Sequence, residues 1–241
     1  MCSLPDLSIK GFIETSFIDW KGRLAAVVFT GGCNFRCPFC HNRSLVLTPQ
    51  ALLNVPIDHV MTRLRKFRHW VDGVVVTGGE PTIHPRLPRL LGMLKDEGFL
   101  VKLDTNGSHP DVIESLAGAG LIDYIAMDVK GPLSQYARWT GIDWDTEKIR
   151  ESIDFIIDSG LDHEFRMTVV PFLHKEPDVY EVAELVRGTK NLFLQDFVPR
   201  DSLLNPKFAG IKPFPAEMMA AMRERVNSIL HDDAPIYGHL H

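Results

Sequence analysis

The chain has 241 residues, 45% of them hydrophobic and 24% charged, and a formal net charge of -5. That length supports one full-sized core, and the acidic balance argues against nucleic acid as the main partner, because phosphate binding needs clustered positive charge. No apolar stretch reaches the length of a membrane span, and the N-terminus lacks the basic start and apolar core of a secretory leader, so a cytoplasmic protein without a membrane partner is expected.

A single domain over residues 1–241 is expected, with a lead-in segment over 1–22, a core over about 23–200 and a helical extension over about 201–241. Residues 1–22 show no strong period, but Gly11, Trp20 and Gly22 punctuate a Phe- and Ile-rich stretch that suits a lead-in strand or short hairpin. Leu24 to Thr30 is continuously apolar, as a strand buried on both faces must be, and runs through Gly31-Gly32 into Cys33-Asn34-Phe35-Arg36-Cys37-Pro38-Phe39-Cys40-His41-Asn42. Ile57, Val60, Met61, Leu64, Phe67 and Val71 then recur at helical spacing. The basic run from Arg63 to His69 inside that pattern reads as a solvated helix face.

A second buried strand, Val74 to Thr77, ends in Gly78-Gly79-Glu80-Pro81, and Leu87, Leu90, Leu91 and Leu94 mark the next helix. The third strand, Phe99 to Leu103, ends in Asp104-Thr105-Asn106-Gly107. A helix from Pro110 to Ala117 precedes the fourth strand, Tyr124 to Met127, which delivers Asp128-Val129-Lys130. The helix carrying Ile149, Ile153, Ile156 and Ile157 leads to a fifth strand, Glu164 to Val170. Val179 to Val186 leads to a sixth, Leu192 to Val198, and a last helix carries Met218, Met219, Met222, Val226 and Ile229. Six alternations with short crossovers predict an α/β fold with parallel strands and right-handed connections. Six units are too few for an eight-unit barrel, and a curved, partly open barrel and a flat doubly wound sheet both fit the periodicity. In either, the strand carboxyl ends share one rim, which gathers the cysteine loop, Gly79, Asp104 and Asp128 into one site.

Three of the four cysteines fall within eight positions, a spacing that suits metal ligation in a reducing compartment rather than a disulfide framework; Cys2 stands apart at a terminus expected to fray. Three thiolates on one short loop repel each other unless a cation shares their charge. Structural zinc takes four protein ligands, usually as two pairs, and no second pair exists here; a site completed by His41 would strain a tetrahedron, because Cys40 and His41 are adjacent. A 4Fe-4S cluster on Cys33, Cys37 and Cys40 fits better and leaves one iron open to a small molecule.

CxxxCxxC after the first strand, Gly-Gly-Glu-Pro after the second and Asp-Thr-Asn-Gly after the third together resemble the radical S-adenosylmethionine (SAM) enzymes. Cys40-His41-Asn42 narrows the resemblance to activating enzymes of glycyl-radical proteins. Gly11 to Asn42 is most similar to the activators of anaerobic ribonucleoside-triphosphate reductase in their longer form. The resemblance covers positions 11 to about 200 and implies a partial (β/α)6 barrel in which SAM chelates the open iron. It implies cofactor-binding roles for Phe39 and His41 beside the cluster and for Gly78, Gly79 and Glu80 at the methionine amino group. Asp104, Thr105, Asn106, Asp128 and Lys130 map near SAM and a monovalent cation, and Arg166 maps onto a SAM-contacting arginine. On an apolar strand an unpaired buried arginine is costly, which also turns Arg166 toward the site. The resemblance further implies a flavodoxin or ferredoxin electron donor and a glycyl-radical enzyme as partner.

A radical SAM enzyme acting on a small molecule, as in a 7-carboxy-7-deazaguanine synthase-like reaction, is the alternative. An electron-carrying iron-sulfur protein is disfavoured by the separate glycine and Asp-Thr-Asn motifs. Two positions depart from the pattern. The segment after the sixth strand reads Leu194-Gln195-Asp196-Phe197-Val198-Pro199 where pyruvate formate-lyase activators carry a SAM-contacting histidine, and Lys21 replaces a proline between Trp20 and Gly22. His84 and His174, in loops at the rim, are expected to face solvent.

Overall fold

The computed structural model describes residues 7–231, so Cys2 and residues 232–241 lie outside the described residues. The lead-in stretch is a full strand, β1 (Ile9–Ser16), paired antiparallel to β2 (Ala25–Thr30). After α1 (Arg43–Leu47) and α2 (Ile57–Lys66) the chain runs β3 (Gly73–Gly78), α3 (Leu87–Asp96), β4 (Leu100–Thr105), α4 (Pro110–Gly118) and β5 (Tyr124–Asp128). It continues through α5 (Tyr136–Thr140), α6 (Thr146–Asp158), β6 (Asp162–Val169), α7 (Glu176–Leu185), β7 (Leu192–Asp196) and α8 (Ala216–His231). The predicted helix from Ile57 to Val71 stops at Lys66, and the chain reaches the buried Val71 through turns.

The sheet has seven strands in the order β1-β2-β3-β4-β5-β6-β7, and β2 to β7 pair in parallel. A doubly wound sheet reverses its order at a switch point. Here the order never reverses, so successive right-handed crossovers put their helices on one side and curl the sheet into a barrel. β1 and β7 do not pair, so the barrel is partial and open at that seam.

Alternation along each strand separates two environments. Val28, Val74, Val76, Leu103, Ile125, Met127, Phe165 and Met167 face outward into the main core with the helices. On the inner face, at the strands' N-terminal ends, Trp20, Ala25, Val27 and Val75 close the barrel floor with Leu100 and Tyr124 against them. Trp20 is buried on Tyr124, with ring centroids 5.7 Å apart, and the neighbouring Lys21 ammonium lies 5.7 Å from the Phe193 ring centre.

The basic run of α2 is a solvated face whose guanidiniums find carboxylates: Arg63 donates to Glu14 at 2.7 Å and Arg65 to Glu97 at 2.7 Å. The last helix, α8, packs on α7 and β7, where Arg223 donates to the Leu194 carbonyl at 3.1 Å and to Asp196 at 2.7 Å. Among the described residues no helix is long and apolar enough to cross a membrane.

Candidate active site

At the carboxyl-end rim the loops after β2, β3, β4 and β5 enclose a cleft with about 900 Å³ of empty space, open to solvent. Its walls include Cys33, Cys37, Cys40, Phe39, His41, Gly78, Gly79, Glu80, Asp104, Thr105, Asn106, Asp128 and Lys130. The structure therefore brings every cofactor-binding candidate but one to a single wall. Arg166 is not part of that wall; it bridges two carboxylates that are.

The cysteine loop is held by the backbone of its neighbours. The Arg36 amide donates to the Thr140 carbonyl at 2.7 Å, and the Cys40 and Pro38 carbonyls accept from the Leu204 and Asn205 amides, both at 2.9 Å. On its other side Gly79 packs so closely that a methyl there would stand 1.7 Å from the Gly32 carbonyl oxygen. Gly78, with φ of +120°, has a conformation suited to glycine. The Glu80 amide completes the contact, donating to Gly32 at 2.8 Å, and Asn42 donates to the Gly78 carbonyl at 2.8 Å.

All three cysteines are free. Burial pushes the Cys33 thiol up to about 12 and the Cys37 thiol up to about 11, and raises Cys40 as well. Thiolates at this site therefore need a cation to share their charge, which a metal centre supplies. Among the described residues no three His, Cys, Asp or Glu side chains are placed to hold one metal ion.

Glu80 is buried, and its carboxylate ties two loops together. Oε1 accepts from the Thr82 hydroxyl at 2.6 Å, the Thr82 amide at 3.1 Å and the Thr105 hydroxyl at 2.8 Å, while Oε2 accepts from the Asn106 amide at 2.7 Å. Burial raises its pKa, against the pull of those donors. Asn106 in turn donates to Asn34 at 2.9 Å, which links the loop after β4 to the cysteine loop.

Below the rim the barrel interior is ionic. Arg166 donates to Asp128 at 2.8 Å and to Asp104 at 3.1 Å, Lys130 pairs with Asp128 at 3.1 Å, and Lys102 pairs with Glu164 at 3.1 Å. Burial disfavours the Asp128 charge, but the Arg166 and Lys130 cations outweigh it and hold its carboxyl at about 2. For Asp104 burial wins over Arg166 and Lys102, so its pKa is raised. Its Oδ1 atom is buried without a hydrogen-bond partner. An oxygen so placed in a cleft wall is a natural contact for a bound cation or donor.

Four side chains at the site escaped the sequence reading. Lys102 and Glu164 lie inside strands rather than at their ends. Gln195, in the segment that departs from the histidine pattern, lies in the cleft wall with Thr168. Against expectation, His174 does not face solvent: it is 1% exposed and stacks on Trp139 with centroids 4.4 Å apart. Its Nδ1 accepts from the Val170 amide at 3.0 Å, so its Nε2 donates to the Lys130 carbonyl at 2.8 Å and the ring is neutral. His84 is half-buried, its Nε2 without a hydrogen-bond partner.

Burial lowers the His174 pKa from 6.5 to about 4. A histidine held neutral contributes stability that is complete above its unfolded pKa and is lost as pH falls through the folded value. The protein is expected to lose on the order of 3 kcal/mol from this group between about pH 6.5 and pH 4. Urea unfolding across that range checks it, because His174→Gln, though less stable at neutral pH, should show a visibly flatter dependence.

The sequence model of the Radical SAM superfamily matches residues 27–186. A Methanocaldococcus jannaschii protein, provisionally named a glycyl-radical enzyme activating enzyme, is 34% identical over 80% of this chain and 81% of its own length. The pyruvate formate-lyase 1-activating enzyme of Escherichia coli is 25% identical over 96% of both chains. A 7-carboxy-7-deazaguanine synthase of Neisseria meningitidis is 34% identical over 46% of each chain. Among solved structures, Streptococcus suis SuiB bound to S-adenosylmethionine shares the fold with a TM-score of 0.63 at 16% identity. The match covers 82% of this chain and 45% of SuiB, so this chain spans under half of that protein's length.

Proposed function

The chain belongs to the radical SAM superfamily, and from that premise we propose that it reductively cleaves SAM to place a glycyl radical on a partner enzyme, with anaerobic ribonucleoside-triphosphate reductase the partner assigned first. The observation that carries the reading is the single cleft in which three free cysteines meet polar loops from β3, β4 and β5. The family implies a 4Fe-4S cluster and SAM. When bound and reduced by an external one-electron donor, the cluster would pass that electron to the SAM sulfonium, breaking a carbon-sulfur bond to give methionine and a 5'-deoxyadenosyl radical able to take a hydrogen from a glycine Cα.

The chain's own part is binding, orientation and exclusion of water. Cys33, Cys37 and Cys40 hold the cluster, and Phe39, buried in the cleft wall, keeps the site dry. Gly78 and Gly79 let their backbone approach an amino-acid ammonium, while Glu80 fixes the loop that presents them. Asp104 and Thr105 offer oxygens suited to a hard monovalent cation, a role supported by Asp104 Oδ1, which has no hydrogen-bond partner and only the Lys102 ammonium at 3.7 Å. Asp128, kept ionised, suits ribose hydroxyls, and Lys130 suits a carboxylate. His41 Nε2 donates to the Val198 carbonyl at 2.7 Å, and the ring stacks on Phe197 at the edge of the cleft. Gln195, from the segment that lacks the histidine, lines the cleft wall.

The activase reading is favoured over a small-molecule substrate because similarity to the two activating enzymes runs along 80% and 96% of the chain, against 46% for the deazaguanine synthase. The test is anaerobic reconstitution with iron and sulfide, followed by dithionite and SAM. Formation of 5'-deoxyadenosine is the expected result, and its absence overturns the catalytic reading. Electron paramagnetic resonance then looks for a glycyl radical on anaerobic ribonucleoside-triphosphate reductase and on other glycyl-radical enzymes. A signal on one of the others moves the assignment to that partner. Cleavage of SAM with no radical on any of them rejects the activase.

A further inference from the structure

Lys102 sits in the middle of the barrel, 2% exposed, on the inner face of β4 two residues before Asp104. Its ammonium donates to Glu164 Oε1 at 3.1 Å and to the Asp19 carbonyl at 2.7 Å, and lies 3.7 Å from Asp104 Oδ1. Glu164 also accepts from the Tyr124 hydroxyl at 3.1 Å. Neither Lys102 nor Glu164 lines the cleft. Arg166 links Glu164 to the cleft wall, its guanidinium having three carboxylates in reach: Asp128 at 2.8 Å, Asp104 at 3.1 Å and Glu164 at 3.8 Å.

We propose that Lys102 and Glu164 are a positioning pair: by neutralising Glu164, Lys102 leaves Arg166 committed to Asp104 and Asp128 and so sets both carboxylates for SAM. A buried carboxylate that loses its cation takes the nearest other one, because an uncompensated charge in a low-dielectric interior is costly. Without Lys102 the nearest other cation to Glu164 is Arg166, and its turn toward Glu164 releases Asp104 and Asp128 at the cleft. Lys102 also ties the floor to this layer, since Asp19 belongs to the segment that carries Trp20 across the barrel's closed end. The inference rests on the reading that the cleft binds SAM.

The test compares SAM dissociation constants, by equilibrium dialysis of the cluster-reconstituted protein, for wild type, Lys102→Met and the double variant Lys102→Met/Glu164→Gln, with melting temperatures alongside. Lys102→Met is expected to weaken SAM binding about tenfold or more. The double variant, which removes the stranded carboxylate as well, should return to within about threefold of wild type. An affinity in Lys102→Met equal to wild type overturns the proposal, whatever its melting temperature. So does a double variant that binds as weakly as the single one, since a merely structural lysine would not be rescued by losing its partner. If Lys102→Met does not fold, Glu164→Gln carries the test: it frees Lys102 to compete for Asp104, and an affinity weakened about fivefold supports the pair while an unchanged one rejects it. Failure of wild type to bind SAM would reject the site reading itself, a result no variant can imitate.

Discussion

Gly79→Ala is expected to fold poorly and to retain no cluster. Its new methyl would stand 1.7 Å from the Gly32 carbonyl oxygen and 2.5 Å from the carbonyl carbon, both backbone atoms that cannot swing aside. The loop after β3 and the cysteine loop would have to part, breaking the Glu80 to Gly32 hydrogen bond and displacing Cys33 from its fellow thiols. Overpacking of this severity, against backbone, costs at least about 3 kcal/mol. In a chain of this size that lowers the melting temperature by roughly 10 °C. Iron content after reconstitution, read with the melting temperature, separates the two effects. Gly118→Ala is the control: nothing lies within 4 Å of the added methyl, and near the end of α4 it should be neutral or stabilising by about 0.5 kcal/mol.

Arg166→Met should be the most damaging change among the ionic residues. It strips the closest cation from both Asp104 and Asp128 at once, and breaking a buried ion pair from one side costs about 3–5 kcal/mol. SAM affinity should fall below detection with it. Acid behaviour supplies a second signature. In wild type the depressed Asp128 carboxyl contributes stability that is present above the ordinary aspartate value of 3.8 and is lost as pH falls toward about 2. The variant should lack most of that loss between pH 4 and pH 2 in urea titrations. Arg166→Lys should fall between the two, because a single ammonium cannot bridge two carboxylates as a planar guanidinium does.

The rim was legible in the sequence for a physical reason. Each motif follows directly on a strand whose apolar run marks its carboxyl end, so alternation alone assembled Cys33, Gly79, Asp104 and Asp128 at one level. The choice between barrel and flat sheet was not legible, because β2 and β3 are buried on both faces in either, and only the unreversed strand order decides. β1 escaped firm assignment for want of alternation; its pairing with β2 is what makes it a strand. Lys102 and Glu164 did leave a signal, since each stands two residues before a candidate, Asp104 and Arg166, on the same inward face. A charged pair inside a strand is easily passed over when strands are sought by their apolar runs. His174 left none: its burial depends on Trp139 and on the Lys130 carbonyl, remote in sequence and joined only by the fold.

The grip on the cysteine loop has a thermodynamic meaning of its own. Backbone groups of Glu80, Thr140, Leu204 and Asn205, drawn from distant parts of the chain, hold the loop and the Gly32 at its base by main-chain bonds that involve no sulfur. In a zinc finger the metal and the fold form together, so the chain order lost on folding is charged against the affinity of the ion. Here main-chain bonds supply that order, so a cluster bound at this loop would have little chain to fold. If a cluster binds here, its filling and emptying are expected to be separated from folding and unfolding, and a circular dichroism spectrum unchanged on iron removal would show it.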